Sequence, residues 1–314
     1  MSEFFVSRFQ RGLLVVAFVL AVLTPGAPAL ELWTEGIPRL PDGASRTSTS
    51  RIVTHRNGRD TVARSRMYDR LIRVADDRIL RDVFDENGQF LWTTEFIRDD
   101  DRLVLVRAAD EEETLWEIVF EYDEDERIIR EAYSSETGET QRIVAYDYSS
   151  DRTEIVSYRG DGTVAWRRRE TTGDIGDERE TTFFYSDGSR VKTIVATMDD
   201  RNRVTHEQHR DELGAVYRSV SREYEGDHLV REVVEDDTGA RIRQTAWDYG
   251  DGGRLRERTV ELPRDSVVER LVIDYEFNDR RHWVSQTHTV VAELPDGGSV
   301  ITDRFVLERE IEYQ

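Results

Sequence analysis

Tyrosine residues recur at nearly even intervals along much of this 314-residue chain, and this period constrains the fold more than any other feature. Successive members of the series are separated by 26, 76, 25 and 26 residues, and Tyr185 lies inside the long interval. The series consists of Tyr122, Tyr148, Tyr224, Tyr249 and Tyr275. A fixed spacing of this size predicts an array of small supersecondary units.

An arginine follows several of these tyrosines at a distance of five residues. The pairs are Tyr122 and Arg127, Tyr185 and Arg190, Tyr249 and Arg254, and Tyr275 and Arg280. The residues between the two partners are turn-like, so the tyrosine is expected to end one strand and the arginine to begin the next. We predict that the ring packs under the turn, while the guanidinium stacks on an aromatic ring or binds a turn carboxylate. The predicted role of these residues, and of Tyr224, is therefore structural.

The chain from residue 51 to residue 314 has the sequence pattern of an all-β protein. Runs rich in β-branched and aromatic residues alternate with short acidic or glycine-containing breaks. Breaks such as Asp187-Gly188 fit type I′ hairpins, in which both central residues have positive φ. Short connections make neighbouring strands antiparallel. The sequence therefore predicts an all-β antiparallel meander of about twenty short strands, built from hairpin repeats of roughly 25 residues. The two ends of an open array would expose unpaired strand edges.

The N-terminal segment has the features of a secretory signal peptide. Basic residues precede an apolar run at 13–23, and Ala27-Pro28-Ala29 fits a cleavage site. We therefore divide the chain into a signal peptide at 1–29, a linker at 30–50 and a β-repeat domain at 51–314. This division predicts an exported protein of the periplasm or the cell surface, with the outer membrane as the alternative location.

Composition narrows the chemistry and the partners. The chain has no cysteine, which excludes disulfides, thiolate metal sites and a cysteine nucleophile. Its net charge is −21, and such a field repels nucleic acid and anionic lipid. We expect a protein or a glycan of the cell envelope as the partner, no nucleic acid, and no transmembrane helix after signal cleavage.

Two of the tyrosine phrases resemble the YD repeats of RHS-type proteins. Residues 249–255 read YGDGGRL, and residues 122–128 read YDEDERI, where the family unit has Tyr-Asp, two variable residues and Gly-Arg-Leu. The resemblance covers roughly residues 84–280. It implies strand arrays that wind into shells or adhesive surfaces, whose repeats are not catalytic. A scaffold or a binding surface is what the resemblance implies for this chain.

The sequence carries no signature of catalysis, and we predict no catalytic, cofactor-binding or metal-binding residue. His206 and His209 stand three residues apart in a predicted strand, so they point to opposite faces and do not chelate one metal. Acidic turns such as 99–101 offer oxygen ligands that calcium prefers, but they lack a calcium-binding spacing. Solvated turns are the favoured interpretation of these clusters.

Two tryptophans lie in strands whose other residues are mainly arginine and polar. Trp166 has Arg168 beside it, and Trp247 has Arg243 nearby, so these four residues form a candidate contact surface for sugar or peptide. Structural packing of the two indole rings is the favoured alternative.

Three functional hypotheses follow from these features. The leading one is a non-catalytic exported β-repeat protein that acts as a periplasmic or surface scaffold or interaction module. The alternative is an outer-membrane β-barrel, because the last segment, 305–313, alternates toward an aromatic residue near the C-terminus. Segments such as 204–210, which are polar on both faces, count against that alternative. The third hypothesis is a β-rich enzyme that acts on polysaccharide.

Overall fold

The chain folds into twenty β-strands, and the described residues contain no helix. The computed structural model describes residues 40–41, 44–56, 59–75, 77–85, 89–100, 102–172, 178–263, 267–293 and 298–313. The strands are β1 (Ala44–Arg56), β2 (Arg59–Ala75), β3 (Arg78–Phe84), β4 (Phe90–Asp99), β5 (Arg102–Ala109), β6 (Thr114–Tyr122), β7 (Ile128–Ser135), β8 (Thr140–Tyr148), β9 (Arg152–Arg159), β10 (Val164–Thr172), β11 (Glu178–Phe184), β12 (Arg190–Met198), β13 (Val204–Arg210), β14 (Val216–Glu225), β15 (His228–Asp236), β16 (Arg241–Tyr249), β17 (Leu255–Leu262), β18 (Val267–Phe277), β19 (Trp283–Glu293) and β20 (Ser299–Tyr313). The predicted all-β meander of about twenty strands is confirmed. The predicted signal peptide lies outside the described residues.

The sheet closes into a barrel. Each strand pairs antiparallel with the next one in sequence, and β1 also pairs antiparallel with β20. The closing register runs from Ala44 opposite Tyr313 to His55 opposite Arg304. Closure removes the two free edges that an open array would expose. Of the open and closed forms that the sequence left undecided, the chain therefore adopts the closed one.

The first strand begins earlier than the sequence indicates. β1 starts at Ala44, so residues 44–50, which we assigned to the linker, already belong to the barrel. This stretch is rich in serine and threonine and lacks an apolar alternation, which is why it reads as a linker. It is held because it has a strand on each side, and because Leu40, Ala44 and Leu71 pack together with Ile311 and Tyr313.

The meander gives the barrel two different rims, because successive turns of an antiparallel meander lie at opposite ends. One rim carries the turns at 135–139, 160–163, 185–189, 211–215 and 236–240, and we call it the glycine rim. Each of these turns has a glycine with positive φ, from 76° at Gly138 to 90° at Gly214. The opposite end, where β6, β8 and β16 finish at tyrosines and β14 finishes one residue after Tyr224, is the tyrosine rim.

The hairpins of the glycine rim are not type I′ turns. At Asp187-Gly188 the N–H of Gly188 donates to the carbonyl of Tyr185, and the N–H of Tyr185 donates to the carbonyl of Ser189. Only the glycine has positive φ. This pattern is a type I turn followed by one left-handed residue, which introduces a bulge into the outgoing strand. The pairing of β11 with β12 shifts register at this point, between Phe183 and Phe184.

The tyrosine period now has a geometric meaning. Two strands and two turns bring the chain back to the same rim, and this circuit takes the 25 or 26 residues that separate Tyr122 from Tyr148 and Tyr224 from Tyr249. The long interval of 76 residues covers further circuits in which β12 ends at Met198 instead of a tyrosine. Tyr185 follows β11 and therefore lies at the glycine rim, opposite the others.

Candidate functional site

The barrel wall has two chemically different faces. Because directly paired residues share a face, the register extends one face of β6 around the sheet. We call the face of Trp116, Ile118 and Phe120 the aromatic face, and the face of Glu117 and Glu121 the ionic face.

Apolar packing is concentrated on the aromatic face between β4 and β8. Phe96, Val106, Ile118, Phe120 and Ile128 are all at most 5% exposed and form one cluster. The partly buried rings of Trp116, Tyr122, Tyr133 and Tyr146 pack against this cluster. The alternation of apolar residues in β4 and β6 predicts this part of the core.

A buried carboxylate interrupts the same face. Glu131 of β7 is 0% exposed, and its two oxygens accept hydrogen bonds from the hydroxyls of Tyr133 and Tyr146. The guanidinium of Arg142 lies 3.9 Å from the centroid of the Tyr133 ring. Ser157 lies on the same face in β9 and is 0% exposed. Its hydroxyl has no hydrogen-bond partner among the described residues. Buried polar groups are therefore gathered on the aromatic face beside the apolar cluster.

A second polar network lies on the aromatic face between β13 and β16. Arg222 forms ion pairs with Glu207 at 3.0 Å and with Glu232 at 3.1 Å. Arg243 pairs with Glu232 at 2.6 Å, and His209 lies 3.3 Å from Glu207. No residue of β13 is buried, as expected for the segment 204–210, which is polar on both faces.

The ionic face carries arginine–carboxylate pairs between neighbouring strands. They include Arg107 with Glu95, Arg231 with Glu223 and Arg46 with Glu312, with N–O distances of 2.5, 2.9 and 3.2 Å. Most of the partners are more than a third exposed, so each pair contributes only about 0–1 kcal/mol. Both faces of the wall therefore contain charged side chains.

The tyrosine rim is built from one contact that repeats around it. The tyrosine hydroxyl donates to a backbone carbonyl at the start of the preceding, directly paired strand, over 2.7–3.1 Å. The donors and acceptors are Tyr122 and Leu103, Tyr148 and Ile128, Tyr224 and Val204, and Tyr249 and Leu229. The residue just before each acceptor lies over or against the tyrosine ring, as Arg102, Arg127, Arg203 and His228 do.

The arginines of three phrases contact an aromatic ring further along the chain rather than the tyrosine of their own phrase. Arg127 binds the turn carboxylate of Asp123 and stacks on Tyr148 with a distance of 4.6 Å to the ring centroid. Arg254 and Arg280 stack in the same way on Phe277 and Tyr313, at 4.4 and 4.0 Å. Tyr275 stacks on Phe277, with 5.9 Å between ring centroids. Both predicted arginine contacts, ring stacking and carboxylate binding, occur.

Tyr185 and Arg190 do not belong to this arrangement. Tyr185 is 53% exposed, and Arg190 donates from Nε to the backbone carbonyl of Glu212 in the neighbouring turn of the same rim. The sequence phrase matches at Tyr185. However, Tyr185 lies at the glycine rim, away from the arginines that stack on the tyrosines of the opposite rim. Only the strand order reveals this difference.

The candidate ligand residues are divided between two distant parts of the sheet. Trp166 and Arg168 share the aromatic face of β10, where Arg168 is 7% exposed and pairs with Glu170 at 3.0 Å. Trp247 and Arg243 share the aromatic face of β16, six strands further along. The sheet order does not make the two tryptophans neighbours, so their role in ligand contact stays a prediction.

His206 and His209 do not form a metal site. His206 contacts Ser221, whereas His209 contacts Glu207. The register of β13 with β14 places these two histidines on opposite faces of the sheet. Within the described ranges, no group of three or more His, Cys, Asp or Glu side chains is placed to hold a metal ion. The same part of the chain has no helix long and apolar enough to cross a bilayer.

The turn aspartates of the tyrosine rim are electrostatically stabilised. The Arg203 side chain and backbone N–H both donate to Asp199, and this holds the pKa of that carboxyl below its ordinary value. Arg127 lowers the pKa of Asp123 in the same way. At the glycine rim a hydroxyl takes the place of the arginine, since Ser189 lowers the pKa of Asp187.

Comparison with known proteins gives distant structural likenesses. No family model and no curated protein matches the sequence. A porin-like protein from Bacteroides uniformis is 12% identical, with 88% of this chain and 99% of that chain covered and a TM-score of 0.37. The outer membrane channel DcaP of Acinetobacter baumannii is 7% identical, with 87% and 99% covered and a TM-score of 0.22.

A third solved structure is the TcdB2–TccC3 complex without its hypervariable C-terminal region. It is 12% identical, covers 74% of this chain and 14% of that chain, and has a TM-score of 0.29. All three TM-scores lie below 0.5.

Proposed function

We propose that this chain is an exported β-barrel protein of the bacterial envelope that acts in the outer membrane. The observation that carries this proposal is the pairing of β1 with β20, which closes the sheet. A sheet that spans a bilayer has to close, because lipid satisfies none of the backbone groups along a free edge. The closed sheet therefore favours an outer-membrane barrel over an open scaffold.

Two further features support the outer-membrane location. The tyrosine rim forms a partial ring of aromatic side chains near one end of the barrel, and membrane barrels carry aromatic girdles at their two interfaces. The last strand, β20, alternates through Phe305, Leu307 and Ile311 to Tyr313. The predicted signal peptide supplies the export that an outer-membrane protein requires.

A second candidate is a barrel that stays in water and presents a binding surface. The specific observation in its favour is that both faces of the wall carry charge, with Arg107–Glu95 on one face and Arg222–Glu207 on the other. A charge on a lipid-facing position costs about 2–4 kcal/mol at the bilayer midplane. The resemblance to YD repeats, which implies scaffold or adhesive surfaces, points the same way.

Expression of residues 30–314 with and without detergent separates the two candidates. An outer-membrane barrel is expected to aggregate in buffer and to fold in detergent into a β-rich species whose gel mobility changes on heating. Size-exclusion chromatography, far-UV circular dichroism and unheated electrophoresis measure these properties. A compact, β-rich monomer in detergent-free buffer would contradict the outer-membrane proposal and support the water-exposed barrel.

Single cysteines then test the two faces, since the chain has no cysteine of its own. Val119→Cys labels the ionic face in β6, and Val290→Cys labels the aromatic face in β19. Each cysteine carries a fluorescent label, and the protein is placed in liposomes whose lipid bears a quencher. In an outer-membrane barrel, the fluorescence of one label is quenched and that of the other is not. Equal protection of both labels from the lipid-bound quencher contradicts a spanning barrel.

We further propose that the protein is not an enzyme and that its partner is a protein or glycan of the envelope. The proposal is supported by the lack of a catalytic motif in the sequence. Turnover of a defined polysaccharide that is lost on a single carboxylate substitution would contradict it.

A further inference from the structure

A buried hydroxyl with an unused hydrogen bond marks one place on the aromatic face. Ser157 of β9 is 0% exposed, and its Oγ has no hydrogen-bond partner among the described residues. Buried polar groups are nearly always hydrogen-bonded, so this donor is suited to an oxygen of a ligand. On the paired strands, Val144 and Trp166 lie directly beside it.

Two arginines flank this hydroxyl on the same face, and neither forms an ion pair with a described residue. Arg159 stands two residues after Ser157, and Arg142 lies directly opposite Arg159 on β8. The Arg142 guanidinium stacks on the Tyr133 ring, and its Nε is buried without a hydrogen-bond partner in the described part of the chain. One nitrogen of Arg159 donates to two oxygens of the hairpin that follows it. Both guanidiniums therefore keep N–H donors for a further acceptor.

The nearby carboxylates are engaged elsewhere. Glu131 accepts hydrogen bonds from two tyrosine hydroxyls, and Glu170 pairs with Arg168. Asp161 accepts hydrogen bonds from within its own turn. The turn at 135–139 carries two exposed glutamates, and neither forms an ion pair with a described residue. The two arginines are therefore not neutralised by direct contact with a described carboxylate.

An accessible aromatic ring stands beside these donors. Trp166 is 36% exposed and follows the turn at 160–163 by three residues. Arg159 is exposed and directly precedes the same turn. The flat indole ring suits the apolar face of a sugar ring. Since this end of the wall meets the glycine rim, a ligand can reach it from water whether or not the barrel spans a membrane.

We propose that Arg142, Arg159 and Trp166 bind an acidic sugar residue of a glycan. The sugar ring stacks on Trp166, and its carboxylate accepts hydrogen bonds from the two guanidinium groups, whose planar forks match carboxylate geometry. Ser157 donates to a ligand oxygen once the exposed Arg159 side chain moves onto the carboxylate. The inference rests on the proposal that the partner is a protein or glycan of the envelope, and it names the class of glycan.

The overall charge of −21 does not prevent such binding. At physiological ionic strength, exposed charges further apart than about 8 Å are largely screened from each other. A single carboxylate held between two guanidiniums therefore responds mainly to those neighbours. A long polyanion such as nucleic acid would instead meet the acidic turns as well.

The first test compares an acidic and a neutral disaccharide on the folded mature chain, in detergent or in buffer, at about 150 mM salt. Cellobiouronic acid, which joins glucuronate to glucose, is the probe, and cellobiose is its neutral counterpart. Isothermal titration calorimetry is expected to show roughly tenfold tighter binding of the acid, because hydrogen bonds to a charged group are the stronger ones. No binding of the acid would overturn the inference. Equal affinity for both sugars would overturn it while leaving a glycan partner in place.

Substitutions then locate the site. Arg159→Gln and Trp166→Ala are each expected to weaken binding of the acid by roughly fivefold, and Arg142→Gln by roughly tenfold. Ser157→Ala is expected to weaken it by about threefold. Circular dichroism verifies the fold of each variant. Arg159 and Trp166 are exposed, so their variants keep the test valid if Arg142→Gln does not fold.

The chain supplies a matched control on β16. Trp247 and Arg243 form a second tryptophan–arginine pair on the same face, but Arg243 is already paired with Glu232 at 2.6 Å. Trp247→Ala and Arg243→Gln are expected to leave binding of the acid unchanged. Losses as large as those at Trp166 and Arg159, or unchanged binding by the variants of these two residues, would overturn the inference.

Discussion

At the scale of single residues, the barrel is stabilised by tyrosines that add side-chain contacts between neighbouring strands at the tyrosine rim. The backbone pairing of β13 with β14 runs from Arg210 opposite Val216 to His206 opposite Ser221. Beyond the end of this pairing, the Tyr224 hydroxyl donates to the carbonyl of Val204, while Arg203 lies over its ring. The repeated tyrosine thus joins the rim ends of two paired strands by a bond that the backbone ladder does not provide.

The hydroxyl bond predicts a measurable loss of stability. Tyr224→Phe removes the donor to Val204 and leaves a partly buried carbonyl without its partner, so we expect the free energy of unfolding to fall by about 1 kcal/mol. Urea unfolding followed by circular dichroism measures the change. Tyr185→Phe is the matched control, because that exposed side chain is outside the repeated contact and should change stability by less than about 0.5 kcal/mol. Equal effects of the two substitutions would refute the role assigned to the hydroxyl.

The pKa of Asp199 predicts a response to acid. Its folded-state pKa lies below the ordinary value of 3.8 because of Arg203, so the stabilisation is present above that pH. It is lost as the pH falls through the lower folded-state pKa. Carboxyl NMR titration of the folded chain should therefore give a midpoint below 3.8 for Asp199. Arg203→Ala should move the midpoint upward, and an unchanged midpoint would disprove this cause.

At the scale of elements, the two rims differ in the residues at the left-handed positions of their turns. The glycine rim uses glycine at each described hairpin from β7 to β16, whereas the tyrosine rim combines Gly226, Gly252 and Gly253 with Glu126, Asn202 and Arg281, whose φ are 62°, 59° and 62°. A left-handed conformation costs a non-glycine residue about 1–2 kcal/mol. At Asp199, the turn that ends in Asn202 gains the bonds from Arg203.

Glycine substitution isolates this backbone effect. Gly188 has φ of 84°, and a Cβ placed there meets no atom within 4 Å, so Gly188→Ala tests conformation without steric overlap. We expect the free energy of unfolding to fall by about 1–2 kcal/mol. Gly250→Ala is the matched control, because Gly250 also has open space around it but lacks a left-handed φ. Thermal or urea unfolding compares the two variants, and a cost at Gly250 as large as at Gly188 would count against the argument.

At the scale of the whole molecule, closure decides what kind of protein this is. An open meander of the same strands would expose the edges of β1 and β20 to other chains. The register between these strands is long, with a pairing that includes Thr47 opposite Ile311. Closure therefore requires the first and last strands of the domain to meet in the same molecule.

A designed disulfide tests closure directly. Paired residues on antiparallel strands have Cα atoms about 4.5–5.5 Å apart, within the range that a disulfide spans. Thr47→Cys/Ile311→Cys should therefore form an intramolecular disulfide on oxidation, in a chain that has no cysteine of its own. Mass spectrometry and non-reducing electrophoresis detect the product. Thr47→Cys/Ile194→Cys places the second thiol in β12 and should not cross-link. The failure of the first pair with free thiols remaining would argue for an open sheet.

The sequence by itself determined the secondary structure and the repeat. Alternating apolar residues, turn glycines and the tyrosine period are local signals, because strands and tight turns are set by neighbouring residues. The face shared by Trp116, Ile118 and Phe120 follows from the same alternation. The structural role of Arg127 was also readable, since its turn carboxylate lies only four residues away at Asp123.

Only the tertiary structure decided closure, the start of β1 and the partners of the repeated arginines. The pairing of β1 with β20 joins residues 249 to 269 positions apart, and no local pattern encodes that meeting. Residues 44–50 are strand because two other strands supply their hydrogen bonds. Arg127 meets Tyr148 because one hairpin returns the chain to the same rim. These contacts depend on strand order, which short-range sequence signals leave open.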